Sequence, residues 1–171
     1  EALRASVLDV LPTSRRPMVF VGPYEHHSNE VSWRETIAEV SEIPLDSDGA
    51  IDLIALRDRL QIAQRSGRPL IGSFSAASNV TGLLTDTRAI ARLLHEFGAL
   101  ACFDFAAAAP HCEIDMRTGR ADAYDAVFIS THKLIGGPGA PGLLVFDPKL
   151  YQLRAPSTAG GGTVRYVSED E

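Results

Sequence analysis

Four apolar runs in this chain each stop at a cluster of polar residues. Met18-Val19-Phe20-Val21 leads through Gly22-Pro23 to Glu25-His26-His27-Ser28-Asn29. The segment 70–75 leads to Ser78-Asn79-Val80-Thr81-Gly82, Leu100-Ala101-Cys102-Phe103 ends at Asp104, and 123–129 ends at Ser130-Thr131-His132-Lys133. The runs are continuous rather than alternating, which is the pattern of strands buried on both faces of a parallel sheet. Helical periods lie between them. Leu53, Leu56 and Leu60 form one stripe over 53–64, with Asp52 as cap, and Ile90, Leu93, Leu94 and Phe97 form another over 87–97, with Asp86 as cap and Gly98 beyond its end. Helices are also expected over 1–10 and 31–37, with Trp33 and Ile37 on one face of the second. Two further strands are expected over 40–44 and 142–146. The fold class is therefore α/β, a three-layer α/β/α arrangement around a mainly parallel sheet.

That fold gives the polar clusters their meaning. In an open parallel sheet, ligands bind in the crevice outside the carboxyl ends of the strands. If the strands run parallel, all four clusters share one edge and can surround one ligand. Asp104 closes an apolar strand and precedes Phe105-Ala106-Ala107-Ala108-Ala109, so water solvates it poorly. A carboxylate there needs a cation or a hydrogen-bond donor; a helix cap or a structural ion pair would serve equally well. Lys133 ends another strand between two apolar segments. It is either an exposed lysine on a long stem or a desolvated amine suited to attack a carbonyl carbon. His26 and His27 are adjacent and face different ways, so they do not suit one metal ion. Either they or His132 could equally be ordinary loop histidines.

Other features bound the function. The chain has 171 residues, enough for one domain with a substantial core. A net charge of −6, from 16 basic and 22 acidic residues, argues against a nucleic-acid binder. No run is apolar and long enough to span a bilayer, and no signal peptide is visible. Cys102 and Cys112 have no metal-site spacing and fit a reduced, cytoplasmic setting. Gly136-Gly137-Pro138-Gly139 lacks the lysine and hydroxyl of a phosphate-binding loop and reads as a tight turn before an antiparallel edge strand. Gly160-Gly161-Gly162-Thr163 reads as a turn or flexible loop, or as a flap over a site. The first residue is not Met, which suggests a piece of a longer protein.

Taken in order, Glu25-His26-His27-Ser28-Asn29…Trp33, Ser78-Asn79-Val80-Thr81-Gly82, Asp104-Phe105-Ala106, Ser130-Thr131-His132-Lys133 and Gly160-Gly161-Gly162-Thr163 resemble the large domain of fold-type I enzymes dependent on pyridoxal 5′-phosphate (PLP). The resemblance is to the class V aminotransferase and cysteine desulfurase group, and it covers about 26–163. It implies that Lys133 carries PLP as a Schiff base and acts as the base in catalysis. It implies that Asp104 holds the pyridine nitrogen protonated, that His26 stacks on the ring, and that Asn79 bonds the phenolic oxygen. Ser130 and His132 would contact the phosphate. Thr163 would lie near a site, its own or that of a second subunit, since such enzymes are usually homodimers. The expected reaction is that of an aminotransferase, desulfurase or lyase on an amino-acid substrate. On this reading residues 1–171 are the central part of the PLP-binding large domain, without its N-terminal segment or the C-terminal small domain. The desulfurase branch usually has a glutamine three residues after the aspartate, where this chain has Ala107. The rival expectation is a fragment or interaction domain that keeps the fold without the activity.

Overall fold

The computed structural model describes residues 2–154, with side chains from Arg4 onward. Thr163 and its glycines lie outside the described residues. The chain runs α1 (Ala2–Val10), β1 (Met18–Val21), α2 (His27–Arg34), β2 (Glu39–Glu42), α3 (Leu53–Gln64), β3 (Leu70–Ser75), α4 (Thr87–Glu96), β4 (Leu100–Asp104), β5 (Ala126–Ile129) and β6 (Leu143–Phe146). The six strands form one sheet in the order β2-β1-β3-β4-β5-β6. Neighbours from β2 to β5 pair parallel, and β6 pairs antiparallel with β5.

Helices cover both faces, and the side-chain alternation of β3 shows which covers which. Leu70, Gly72 and Phe74 face α3 and α4, whose Leu56, Leu60, Ile90 and Leu94 are fully buried with Phe20, Phe74 and Phe103. Ser73 and Ser75 face the other way, toward α2. The glycine in β3 is what lets α4 come close. A Cβ on Gly72 would lie 2.7 Å from Leu94 Cδ2 and closer still to Cδ1. Leu94 is fully buried and has no room to yield, so Gly72→Ala should cost about 1–3 kcal/mol as overpacking. A urea denaturation midpoint equal to that of the wild type would contradict this packing.

The caps on α3 and α4 are those expected. Asp52 accepts hydrogen bonds from the N–H groups of Ile54 and Ala55, and Asp86 accepts one from Ala89 N–H. Several boundaries differ from the expectations: the strand expected over 40–44 is Glu39–Glu42, and that expected over 142–146 begins at Leu143. The helix expected over 31–37 starts at His27, because His26 caps it by accepting the Ser28 N–H at 3.2 Å. The strand expected from Ala123 begins at Ala126. Ala123 and Tyr124 instead follow a turn as irregular chain, with Tyr124 N–H donating to the Met116 carbonyl and the Tyr124 hydroxyl 2.6 Å from Thr87 Oγ1. The helix expected to end at Phe97 ends at Glu96, with Phe97 as its C-cap. Apolar continuity also overstated how far the strands are covered. All four residues of β6 are exposed, although all four are apolar.

The amino-terminal edge of the sheet is closed by a carboxylate. Asp125 accepts the Ala101 N–H at 2.8 Å, and its oxygens lie 2.8 Å from His95 Nε2 and 2.8 Å from Lys149 Nζ. Burial alone would push the Asp125 carboxyl up, but the Lys149 ammonium, the Ala101 N–H and His95 together hold it below the usual carboxylate range. Among the described residues, no helix is long and apolar enough to cross a membrane.

Candidate functional site

The carboxyl ends of β3, β4 and β5 are level. Ser75 pairs with Asp104, and Asp104 pairs with Phe128. The four polar clusters therefore leave the sheet on one edge, as the parallel arrangement requires. On the α2 side of that edge lies a cavity of about 570 Å3. Asp104, Ala106, Phe128 and Ser130 line it from the sheet, Ser28, Asn29, Ser32, Trp33 and Thr36 from α2 and the turn after it, and Gly142, Leu143 and Leu144 from the edge of β6. That size is typical of a site for a small molecule.

Asp104 is the chemically distinctive wall residue. It is 8% exposed. Its Oδ1 accepts the Ala106 N–H at 2.7 Å, a turn that turns the chain off the end of β4. Among the described residues no lysine, arginine or histidine pairs with it. A carboxylate so buried favours a ligand that brings a cationic N–H.

Of the residues singled out in the sequence, the structure brings Asp104 and Ser130 together on this cavity. His26, Asn79, His132 and Lys133 are exposed in the surrounding loops and do not line it. His26 Nδ1 accepts the Ser28 N–H, which can only donate, so a neutral His26 carries its proton on Nε2. The loop of Asn79 is shaped from below by buried Ser78, whose hydroxyl accepts the N–H groups of Val80 and Thr81. The Asn79 amide itself has no hydrogen-bond partner among the described residues. His132 and Lys133 sit in a single 3-10 turn, Thr131–Lys133, which Ser130 begins by accepting the Lys133 N–H at 3.0 Å. The glycine-rich segment that follows is the tight turn expected. Gly137 packs on the Thr131 carbonyl so closely that a Cβ would collide with it, and Thr131 Oγ1 donates to the Pro141 carbonyl. The turn thus braces the short helical segment that presents Lys133.

The two cysteines are poor nucleophiles or sit away from the cavity. Burial, aided by the Asp125 charge, pushes the Cys102 thiol up to about 12. Cys112 is half-buried and does not line the cavity.

Reasoning from the sequence missed the buried polar group under α2. Glu25 Oε1 accepts the N–H groups of Gly22 at 3.1 Å and Ser75 at 3.0 Å. Its Oε2 accepts Asn29 Nδ2 at 2.7 Å and the Ser75 hydroxyl at 2.7 Å. Asn29 in turn accepts the Ser73 hydroxyl at 2.6 Å. Burial raises the Glu25 carboxyl above its ordinary range, against the pull of its bonds to Ser75 and Asn29. A signal was present in β3, where Ser73 and Ser75 alternate with Gly72 and Phe74. Such alternation marks a strand with one polar face and predicts polar partners opposite it.

Comparison with known proteins adds independent findings. The sequence profile of the family described as aminotransferase class V matches residues 5–171. A probable cysteine desulfurase of Methanothermobacter thermautotrophicus is 34% identical over 155 residues, covering 89% of this chain and 37% of that protein. One from Streptomyces coelicolor is 31% identical over 154 residues, covering 88% and 35%. Among solved structures, a cysteine desulfurase from Escherichia coli superposes with a TM-score of 0.72 at 28% identity, over 96% of this chain and 39% of that one. An alanine–glyoxylate aminotransferase from Nostoc shares the fold, with a TM-score of 0.65 at 19% identity over 90% of this chain and 40% of that one. The chain thus spans a little over a third of the length of the relatives it matches.

Proposed function

Because the chain belongs to the class V aminotransferase family, we propose that it is the central part of the PLP-binding large domain of an enzyme acting on an amino-acid substrate. The observation that carries this reading is Asp104, a buried carboxylate on a cavity wall with no cation beside it among the described residues. Its free oxygen suits the protonated nitrogen of a pyridine ring. The donor set around it fits the rest of PLP. Ser130 supplies a hydroxyl on the same cavity and His132 a ring N–H two residues on, both suited to a phosphate. Asn79 offers an uncommitted amide N–H for the phenolic oxygen, and His26 an imidazole for the ring face. Lys133 offers a primary amine.

When bound, PLP supplies an electron sink that labilises bonds at the α-carbon of an amino acid. The protein does the remainder. Asp104 would face the ring nitrogen and hold a proton there. Ser130 and His132 would hold the phosphate end. Lys133 Nζ would be the amine that anchors the cofactor and the base for a proton at the substrate α-carbon. Trp33 and Phe128 would give the bound group an apolar wall. Aminotransferase, desulfurase and lyase chemistry all start from this set. Ala107 stands where the desulfurase branch usually has its glutamine, which leaves Asn79 as the contact to the phenolic oxygen. In the intact protein, Thr163 would serve the site of a second subunit in a homodimer.

Trp33 gives a direct test, because it is the one tryptophan of the chain and lines the cavity. Adding PLP should quench its fluorescence saturably, with the absorbance of the bound cofactor rising in step. Pyridoxal without the phosphate should quench far more weakly, since it lacks the group that Ser130 and His132 hold. Equal quenching by both compounds, without saturation, would mean that PLP does not occupy this cavity.

A further inference from the structure

We propose that Glu25 is a positioning residue for the cofactor site: its carboxylate ties the α2 wall of the cavity to the strand beside Asp104. The proposal rests on the PLP reading above. Its basis is the ladder between β1 and β3. These strands pair from Met18 with Leu70 to Phe20 with Gly72, and β1 ends at Val21 before Gly22. Beyond that point the N–H groups of Gly22 and Ser75 have no strand to bond. Buried backbone donors of this kind must find an acceptor. Glu25 Oε1 accepts both, and so finishes the ladder with a side chain.

The other oxygen reaches across the layers. Glu25 Oε2 accepts from Asn29, which is buried on α2 and lines the cavity, and from the hydroxyl of Ser75. Ser75 is the direct strand neighbour of Asp104. One carboxylate therefore fixes three things relative to each other: the turn that carries His26, the helix that carries Trp33, and the strand next to Asp104. A neutral side chain of the same size could not accept all four bonds. A carboxylate has acceptor sites for all four and nothing to donate. Glu25 touches neither the cavity nor any reacting atom, so its effect reaches the site only through Asn29 and Ser75.

The test uses the intact protein with PLP as probe and reads both affinity and the quenching of Trp33 at saturation. Quenching at saturation reports the distance and angle between Trp33 and the cofactor, which a loss of global stability does not change in molecules that remain folded. Glu25→Ala removes an acceptor from the N–H groups of Gly22 and Ser75, the Ser75 hydroxyl and the Asn29 amide, which keeps only the Ser73 carbonyl, and should weaken PLP binding at least about tenfold. It should also change the saturating quench. Glu25→Gln keeps the acceptor of the two backbone N–H groups and should recover much of both. If Glu25→Ala does not fold, Ser75→Ala removes a single donor and should shift both readouts in the same direction by roughly two- to fivefold in affinity. A folded Glu25→Ala or Ser75→Ala protein with wild-type affinity and wild-type saturating quench overturns the positioning role. A wild-type protein that shows no saturable quenching removes the PLP reading itself, an outcome distinct from the first.

Discussion

Borohydride reduction in the presence of PLP should leave a pyridoxyl group on Lys133 and on no other lysine of the chain. The chain has two lysines, Lys133 and Lys149. Lys149 lies 2.8 Å from Asp125 and 3.3 Å from Asp147 at the opposite edge of the sheet. The bond to Asp125 raises its ammonium above the ordinary range, so it seldom presents a free amine. A protonated amine has no lone pair with which to attack an aldehyde. Lys133 makes no ion pair among the described residues and stands on the edge that carries Asp104 and Ser130. Peptide mapping should therefore find the label on the peptide that contains Thr131-His132-Lys133. Lys133→Ala should abolish the labelling and lower turnover of the intact protein by roughly a thousandfold or more, since on the proposed reading it would remove both the covalent anchor and the base. Labelling of the intact protein on Lys149 alone, or labelling that survives in Lys133→Ala, would contradict the assignment.

Asp104→Asn should weaken PLP binding by about ten- to a hundredfold, because a hydrogen bond to a charged group contributes about 1.5–3 kcal/mol. The asparagine can still accept the Ala106 N–H, so the turn after β4 survives. A midpoint of thermal unfolding within a few degrees of wild type would show that the fold is intact. On the proposed reading, what the substitution removes is the charge that would keep a proton on the ring nitrogen. Turnover of the intact protein should thus fall further than binding does. Equilibrium dialysis measures the first effect and steady-state kinetics at saturating PLP the second. Wild-type binding together with wild-type turnover would show that Asp104 is not the partner of the ring nitrogen, and that its burial is structural.

The two lysines show how far local sequence reaches. The position of Lys133 was legible because an apolar strand ends just before it and a glycine-rich turn follows. Asp104 was legible for the same reason, as was the helix from Leu53 to Gln64 with its Asp52 cap. Each of these follows from short-range chemistry: apolar runs, capping side chains and turn residues act over a few positions. The pairing of Lys149 with Asp125 was not legible. It depends on β6 folding back antiparallel beside β5, which brings the end of one strand to the start of another. The exposure of Leu143 to Phe146 was hidden likewise, since an apolar run looks the same at the middle of a sheet and at its edge.

The candidate site divides along that same line. Its carboxyl-edge loops, its acidic and basic members and the parallel sheet beneath them were determined by the sequence alone, because strand ends and loop chemistry are encoded locally. Tertiary structure decided which of those residues share a cavity. It placed Asp104 and Ser130 opposite Trp33, and it made Glu25, an unremarked member of a polar cluster, the acceptor that closes the β1–β3 ladder. Such partners are 50 residues apart in the chain. Nothing in either segment specifies the other, and they meet only because strand order and register place Ser75 beside Asp104 and beneath α2.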